Sequence, residues 1–520
     1  MRIIELRLQD YRVLRDITIR FSEPASAQDR NYTLTFLVGV NGSGKSTVLK
    51  ALVDILRRLE QNLSIIPINF HLEYQLRTQD TSPRIAIDSD GEHPKQVTVD
   101  GTSAAFSPYY HLPHRVVIFT TGDEAEWEEQ GKRTQAEESS QEEGTAALQV
   151  LALSPEQLAV QELPGRPVRP LEERGEEEET TESQQEERFL FIRTRQIPLL
   201  VLCGLLADIA INEKNTDRLL GGVLSEAKIS AFRGFSLKFR MNQGTTDDED
   251  REYVNLLQSV ATQSLRLGTD YLLVFDLTEQ DHTHARTILE KATSEASTVI
   301  ESARGLRFFE RLARLAQSSA LKPAILREVN LFFERFPERD PQANEVKEYS
   351  PLLLFDWLSD GEQSFLGRMC LFSLLGDTEA LILLDEPEVH FNDYWKRQIV
   401  FLIDKVLRGR LSHALITTHS SITLTDAPRN HIVILDRGDI YTSTTYRPGI
   451  NTYAADPSDI IVSVFGSPQA AGAQSVSRVQ EVFNMRDPGS KKEELKRLLD
   501  VVGPGYWRYR IRRELLLMGE

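Results

Sequence analysis

The chain has 520 residues and a mass of 59.1 kDa, room for about three domains of ordinary size. Hydrophobic residues make up 40% and charged residues 27%, enough for a core, and no run reaches about 18 apolar residues without a polar break, so composition excludes a membrane span. The net charge is −18, but 20 acidic against 5 basic residues between Gly122 and Glu187 supply −15 of it, so the other 454 residues carry only −3 and a basic groove elsewhere is not forbidden.

The opening Met1–Arg7 mixes charges into every turn, which is not the pattern of a signal peptide. Arg2–Leu8 and Ile17–Phe21 alternate as strands do, and Thr33–Val38 is apolar enough for a buried strand. That strand runs into a glycine-rich turn and then into Thr47–Leu56, whose apolar residues have helical spacing. Short strand-like runs follow over 64–121, ending in Arg115–Thr120. Residues 122–187 are rich in Glu, Gln, Ser and Pro and read as an acidic low-complexity insertion, with Ala146–Val160 as an ordered exception. Residues 188–350 are expected to be a mainly helical insertion, with strand pieces at Phe235–Phe239 and Tyr271–Phe275. From Leu352 to about 440 the rhythm is that of an α/β sheet. The tail, 446–520, predicts helices, including Lys491–Val501 and a basic aromatic stretch at Tyr506–Arg513. That stretch suits either phosphate contact and base stacking or an amphipathic helix docked on the head through Trp507, Ile511 and Leu515. Cys203 and Cys370 are the only cysteines, which excludes a disulfide scaffold and a cysteine-ligated zinc site and predicts a cytoplasmic protein.

Four segments carry chemistry. Gly39–Thr47 matches G-x-x-x-x-G-K-[ST], with strand before and helix after. Its glycines let backbone N–H groups at Asn41, Gly42, Ser43 and Gly44 turn toward a phosphate, Lys45 supplies a positive charge, and Ser46 and Thr47 open the helix. Leu381–Glu386 is an apolar strand ending in two carboxylates, suited to a metal at Asp385 and a general base at Glu386. Ser359–Gln363 opens a helix expected over Gln363–Leu375, a second anion site, and Ala414–Thr418 is a strand leading into His419.

In this order the four segments resemble ABC-type ATPases of the RecF, Rad50 and OLD group. Gly39–Thr47 is similar to their Walker A, Leu358–Gln363 to the signature, Leu381–Glu386 to Walker B, and His419 to the switch histidine. Glu388–Asn392 stands in the D-loop place, and Asp10-Tyr11-Arg12 resembles the N-F-R of their opening strands. Asp360 departs from the signature, which has Gly or Ser there, and Gln61, Gln75 and Gln96 stand as alternatives for the Q-loop. The resemblance implies an α/β fold: a P-loop parallel sheet with an antiparallel β subdomain, split into 1–121 and 351–445 by the insertions. It implies ATP and Mg²⁺ as cofactors, with Ser46 and Asp385 on the metal and Lys45, Glu386 and His419 in catalysis. It also implies at least a homodimer, in which Ser359, Asp360, Gly361 and Glu362 cap the nucleotide of the other copy.

Neither a long coiled coil nor a C-x-x-C hook is present, and the 101 residues after His419 hold no Asp-x-Asp nuclease pair. The segment Asn451–Gly466 and the end beginning Gly503-Pro504-Gly505-Tyr506-Trp507 resemble defence-associated ATPases of Septu, retron and restriction-associated type. That likeness implies an antiviral defence sensor with a separate nuclease or toxin effector. The alternatives are a repair ATPase acting on double-stranded DNA and a structural scaffold that holds ATP with negligible turnover.

Overall fold

The computed structural model describes residues 1–21, 32–76, 82–120, 127, 188–211, 219–241, 246–278, 282–293, 299–318, 323–336, 352–376, 379–407, 412–437, 443–467 and 469–519. The acidic insertion, with Ala146–Val160 inside it, lies outside the described residues apart from Trp127. Contacts divide the chain into two units, Met1–Tyr453 and Ala454–Glu520.

In the first unit a seven-stranded sheet runs in the order Ser443–Tyr446, Ile432–Arg437, Thr33–Val38, Ser412–Thr417, Ala380–Asp385, Arg115–Thr120 and Phe189–Ile192. All neighbours are parallel except the first pair. Every residue of the four central strands is buried, as expected of parallel strands covered on both faces, and this is why they read as continuous apolar runs. Register aligns the strand ends: Asp385 pairs with Thr417 and with Thr120, and Thr417 pairs with Leu37. The end of the phosphate-loop strand, the histidine strand and the carboxylate strand therefore share one edge.

A six-stranded antiparallel sheet, in the order Ile17–Arg20, Arg2–Gln9, Asn69–Gln75, Arg84–Asp90, Gln96–Val99 and Thr102–Ser103, forms the β subdomain. Its apolar face joins a core with helix Lys45–Glu60, where Ile3, Leu6, Leu8, Val48, Leu52 and Ile55 are buried. The fold class is thus α/β, with a parallel P-loop sheet beside an antiparallel subdomain.

The segment expected to be mainly helical is only partly so. Its helices Ile197–Ile211, Leu219–Glu226, Asp248–Val260, His282–Thr293 and Glu301–Leu315 accompany a five-stranded antiparallel sheet, ordered Gln263–Leu267, Asp270–Asp276, Ile229–Arg240, Leu326–Arg335 and Leu352–Leu354. The strand piece expected at Phe235–Phe239 is the C-terminal part of Ile229–Arg240, whose first half is irregular in register, and that at Tyr271–Phe275 is Asp270–Asp276 without its two end aspartates.

Composition does not by itself exclude a membrane span, contrary to expectation: Thr194–Ile211 has the length and composition to cross a bilayer, with a mean hydropathy of 1.6, yet 78% of it is buried inside the protein. It is a core helix, apolar all round because it is surrounded. Small residues bring its neighbours close: a Cβ on Gly204 would lie 2.5 Å from Cys370 Cβ, and one on Gly305 would lie 2.9 Å from Ala207 Cβ. Helix Asp360–Leu375 and helix Glu301–Leu315 thus both rest on it.

The second unit holds helices Pro457–Ser463, Ala473–Phe483, Pro488–Val501 and Tyr506–Leu517. Val479, Val482, Leu495, Leu498, Ile511 and Leu515 form its core, with Trp507 packed against it. The basic aromatic stretch is an amphipathic helix, but its Trp507, Ile511 and Leu515 pack into this unit's own core, whereas docking on the head was expected. Two of its arginines are engaged locally: Arg508 donates to the Val502 carbonyl at 2.6 Å, and Arg510 lies 5.4 Å from the Phe483 ring centroid.

Candidate active site

The phosphate loop is built by backbone conformations that only glycine adopts freely. Gly42 has φ 78° and Gly44 φ 98°, and a Cβ on Gly44 would sit 2.5 Å from Leu14 Cδ2. Gly44 is also the N-cap of helix Lys45–Glu60, and no side chain caps that end. The first amides of the helix are left for an anion, and the helix dipole favours negative charge there. Asn41 and Gly42 are exposed, Ser43, Gly44 and Lys45 are buried, and Ser46 and Thr47 are half-buried. The Ser43 hydroxyl is enclosed without a hydrogen-bond partner.

Lys45 folds back over the loop. Its Nζ donates to the carbonyls of Gly39 at 3.2 Å and Val40 at 3.3 Å. Burial holds its pKa below the usual lysine value, against the opposing pull of Glu386 and Asp385. A γ-phosphate would replace two neutral carbonyls with a full negative charge.

Across the sheet edge, Ser46 Oγ donates to Asp385 Oδ1 at 2.9 Å, and Thr417 Oγ1 donates to the same oxygen at 2.6 Å. Thr417 Oγ1 in turn accepts from the Glu386 amide at 2.9 Å. Glu386 has φ 49°, a left-handed backbone unusual for a residue with a side chain, and the Thr417 bond holds it there. The turn aims its carboxylate at His419, with Nε2 and Oε1 3.2 Å apart. Burial, then the positive charge of Lys45, lowers the His419 pKa, while Glu386 and Asp385 oppose the shift.

Among the described residues no group of three His, Cys, Asp or Glu side chains is arranged to hold a metal by itself. Ser46 Oγ and Asp385 Oδ1 nevertheless fit magnesium, which keeps most of its shell as water and phosphate oxygens and takes only one or two protein ligands.

The structure thus brings Lys45, Ser46, Asp385, Glu386 and His419 together. It does not bring Ser359, Asp360, Gly361 and Glu362 into that group. Helix Asp360–Leu375 starts three residues earlier than the sequence suggested, because Ser359 caps it. Ser359 Oγ accepts from the Glu362 amide at 3.3 Å, and the Ser359 amide donates to Glu362 Oε2 at 2.7 Å, a reciprocal capping box. Glu362 also accepts from Arg335 Nη2 at 3.2 Å. Asp360 in place of a small residue is tolerated in the first turn, where a carboxylate favours the helix dipole. Gly361 is buried, and a Cβ there would lie 2.7 Å from the His390 carbonyl oxygen. Ser359 and Asp360 are exposed, as is Trp357 beside them at 65%.

Sequence reasoning gave no role to Thr417 and Thr418, and gave Glu388 only a place in the D-loop segment. Thr417 fastens Asp385 and Glu386, whereas the buried Glu388 accepts from the Thr418 hydroxyl and from the His419 amide, the latter at 3.2 Å. Two consecutive threonines ahead of the strand-end histidine were the available signal.

Residues 1–135 match a protein-family model described as an AAA ATPase domain. Residues 272–426 match one described as "AAA domain, putative AbiEii toxin, Type IV TA system". No curated protein matches the chain. Among solved structures, the SMC head domain from Thermotoga maritima is 12% identical, with a TM-score of 0.35 over 86% of this chain and 100% of that one. An Smc head bound to the C-winged helix domain of ScpA is 13% identical, with a TM-score of 0.34 over 86% and 97%. The recombination mediator protein RecF is 12% identical, with a TM-score of 0.28 over 86% and 97%. The first family match contains the phosphate loop and the second contains Asp385, Glu386 and His419, so the chain is similar to AAA ATPase domains on both sides of the candidate site.

Proposed function

We propose that the chain binds ATP with Mg²⁺ and hydrolyses it to ADP and phosphate, and that two heads close around the nucleotides. The observation that carries this is the single edge on which Ser46, Asp385, Glu386 and His419 are joined through Thr417 and one carboxylate–imidazole contact, with Lys45 on the adjoining loop near enough to act on all three ionisable groups. Lys45 and the amides from Asn41 to Thr47 hold the phosphates. Mg²⁺ on Ser46 and Asp385 supplies charge neutralisation at the phosphate oxygens. Glu386 takes the proton from the attacking water at Oε1, and His419, neutral because burial and Lys45 disfavour its charge, offers Nε2 to the γ-phosphate. Chemistry here is mostly positioning and charge stabilisation.

Ser359, Asp360, Gly361 and Glu362 act on the nucleotide of a second copy. The exposure of Ser359, Asp360 and Trp357, and the separation of this cap from the phosphate loop's own hydrogen bonds, support that arrangement. The biological role we favour is a cytoplasmic antiviral defence ATPase that restrains or licenses a separate nuclease or toxin. The match of 272–426 to a family described as a putative toxin of a toxin–antitoxin system supports that direction.

The test is ATP turnover by the purified chain. Wild type turns over ATP slowly, and Glu386→Gln binds ATP with unchanged affinity while turnover falls by about 100-fold or more. A Glu386→Gln variant with the wild-type rate overturns the general-base assignment. Turnover indifferent to duplex DNA supports the restrained sensor; strong stimulation by duplex DNA replaces it with the repair reading.

A further inference from the structure

The least expected charge in the first unit is Arg368, halfway along the helix that Ser359 caps. Its side chain is 0% exposed, and Nε, Nη1 and Nη2 are all without hydrogen-bond partners. The guanidinium lies between two aromatic faces, 4.7 Å from the Phe119 ring centroid and 4.9 Å from that of Phe391. Cation–π contact recovers part of the lost hydration, but it satisfies none of the five N–H donors. Burial pushes the Arg368 pKa down to about 9, and the charge that opposes this shift is Glu388.

Glu388 is in the complementary position. Its side chain is 5% exposed, and Oε2 is enclosed with no partner. Oε1 is fully engaged, accepting the Thr418 hydroxyl and the His419 amide. The turn that carries Glu388 is tight: the Val389 amide donates to the Glu386 carbonyl at 3.2 Å, and the Phe391 amide to the Glu388 carbonyl at 3.0 Å. Burial holds the Glu388 pKa above the ordinary carboxylate value, against the hydrogen bonds from Thr418 and from the His419 amide. Phe391 links the two residues: its ring faces the Arg368 guanidinium, and its amide donates to the Glu388 carbonyl.

We propose that Glu388 and Arg368 are a positioning pair for the switch histidine: Glu388 fixes the backbone at His419, and Arg368, from the helix that begins at Ser359, anchors the turn of Glu388 through the Phe391 ring and by its charge. The pair lies between two parts of the site, the cap at Ser359 and the Glu386–His419 contact. A displacement of helix Asp360–Leu375 changes the Arg368–Glu388 separation and, through Oε1, the hold on Thr418 and His419. Neither residue touches the nucleotide, so they position and do not catalyse. The catalytic readout of this proposal rests on the ATP-hydrolysis reading above; the spectroscopic one does not.

The test uses the full chain labelled with ¹⁵N at histidine only, which gives 10 amide signals, and His419 is identified by the signal lost in His419→Gln. Glu388→Gln moves the His419 amide signal, and Arg368→Met moves it in the same direction. The double variant moves it no further than Glu388→Gln alone, because the two residues act through one bond. Arg368→Lys, which keeps the charge, leaves the signal near its wild-type position, whereas a packing role would favour Met over Lys. In turnover, Glu388→Gln and Arg368→Met each lower kcat by about ten-fold with KM for ATP within about two-fold of wild type.

An unmoved His419 amide in Glu388→Gln overturns the proposal, as do effects on kcat that multiply in the double variant. If Arg368→Met does not fold, Glu388→Gln and Arg368→Lys decide by the amide signal. If wild type turns over no ATP while the amide responds as described, the hydrolysis reading fails and the pair stands.

Discussion

The parallel sheet and the five-stranded antiparallel sheet of the first unit differ in where they put their polar groups. In the parallel sheet the strands are buried throughout and polar groups are enclosed at both ends: Asp385, Thr417, Glu388 and Thr418 at the carboxyl ends, and Arg115 and His413, held by Glu310 and Thr35, toward the amino ends. In the antiparallel sheet polarity runs along one face and apolar residues along the other. Phe235 stacks on Phe275 with centroids 4.4 Å apart, and Phe232 lies 5.3 Å from Phe333. On the opposite side Lys238 pairs with Glu328 at 2.7 Å, Arg240 with Asp270 at 2.7 Å, and Arg233 with Glu334. The first arrangement concentrates charge in a place that water does not screen, which suits chemistry. The second spreads it over a solvated face, where it sets register and solubility and contributes little energy.

If this contrast is right, substitutions should separate cleanly by sheet. The largest effect belongs to Lys45→Ala, which removes the buried cation from the phosphate loop. We expect nucleotide binding to weaken by about 100-fold or more, measured by titration with a fluorescent ATP analogue, with the fold intact by circular dichroism. Phe235→Ala attacks the other sheet. It should lower unfolding free energy by about 3–5 kcal/mol in a denaturant titration while leaving KM for ATP unchanged. A Phe235→Ala variant that loses ATP binding at full stability would erase the distinction. Gly44→Ala forces a side chain into a left-handed position and against Leu14, at a cost of about 1–3 kcal/mol, and should weaken ATP binding as well because the loop amides re-aim.

The pH response is the fourth test. His419 has a pKa held below its ordinary value, so the unfolded chain takes up this proton first as pH falls. Stability from this residue is therefore present above the unfolded pKa of about 6.5 and declines as pH drops toward the folded value. Turnover should stay level through the ordinary histidine range and fall only below it, a profile that His419→Gln abolishes. The smallest effect is Lys238→Met, whose partner faces solvent. Stability should change by no more than about 1 kcal/mol, and less at high salt.

The parts of the molecule that could be read in advance are those whose signal is local. The strand Thr33–Val38, the glycines after it, and the apolar run into Asp385 each declare themselves within ten residues, because a buried parallel strand and a phosphate turn have compositions nothing else imitates. The antiparallel sheet was hidden for the opposite reason. Ile229–Arg240 has a bulge at Phe232/Gly234 that breaks its alternation, and its partners lie far along the chain at Asp270–Asp276 and Leu326–Arg335. The burial of Arg368 and Glu388 was hidden as well, because a lone arginine in an apolar helix and a glutamate after Pro387 carry no local sign of being enclosed.

The hydrogen bond between Ser46 and Asp385 spans 339 residues, and this separation sets an order of events during synthesis. A nascent chain that has completed the phosphate loop and the β subdomain still lacks strands Ala380–Asp385 and Ser412–Thr417, one of which must insert directly beside Thr33–Val38. The insertion has to emerge, and its loop-closure entropy has to be met, before the sheet has a centre. Until then the strand carrying the phosphate loop is an apolar edge without neighbours, the kind of segment that chaperones hold. If the proposed ATP binding holds, it waits for these two strands, and a ribosome-stalled fragment ending before residue 380 should show none.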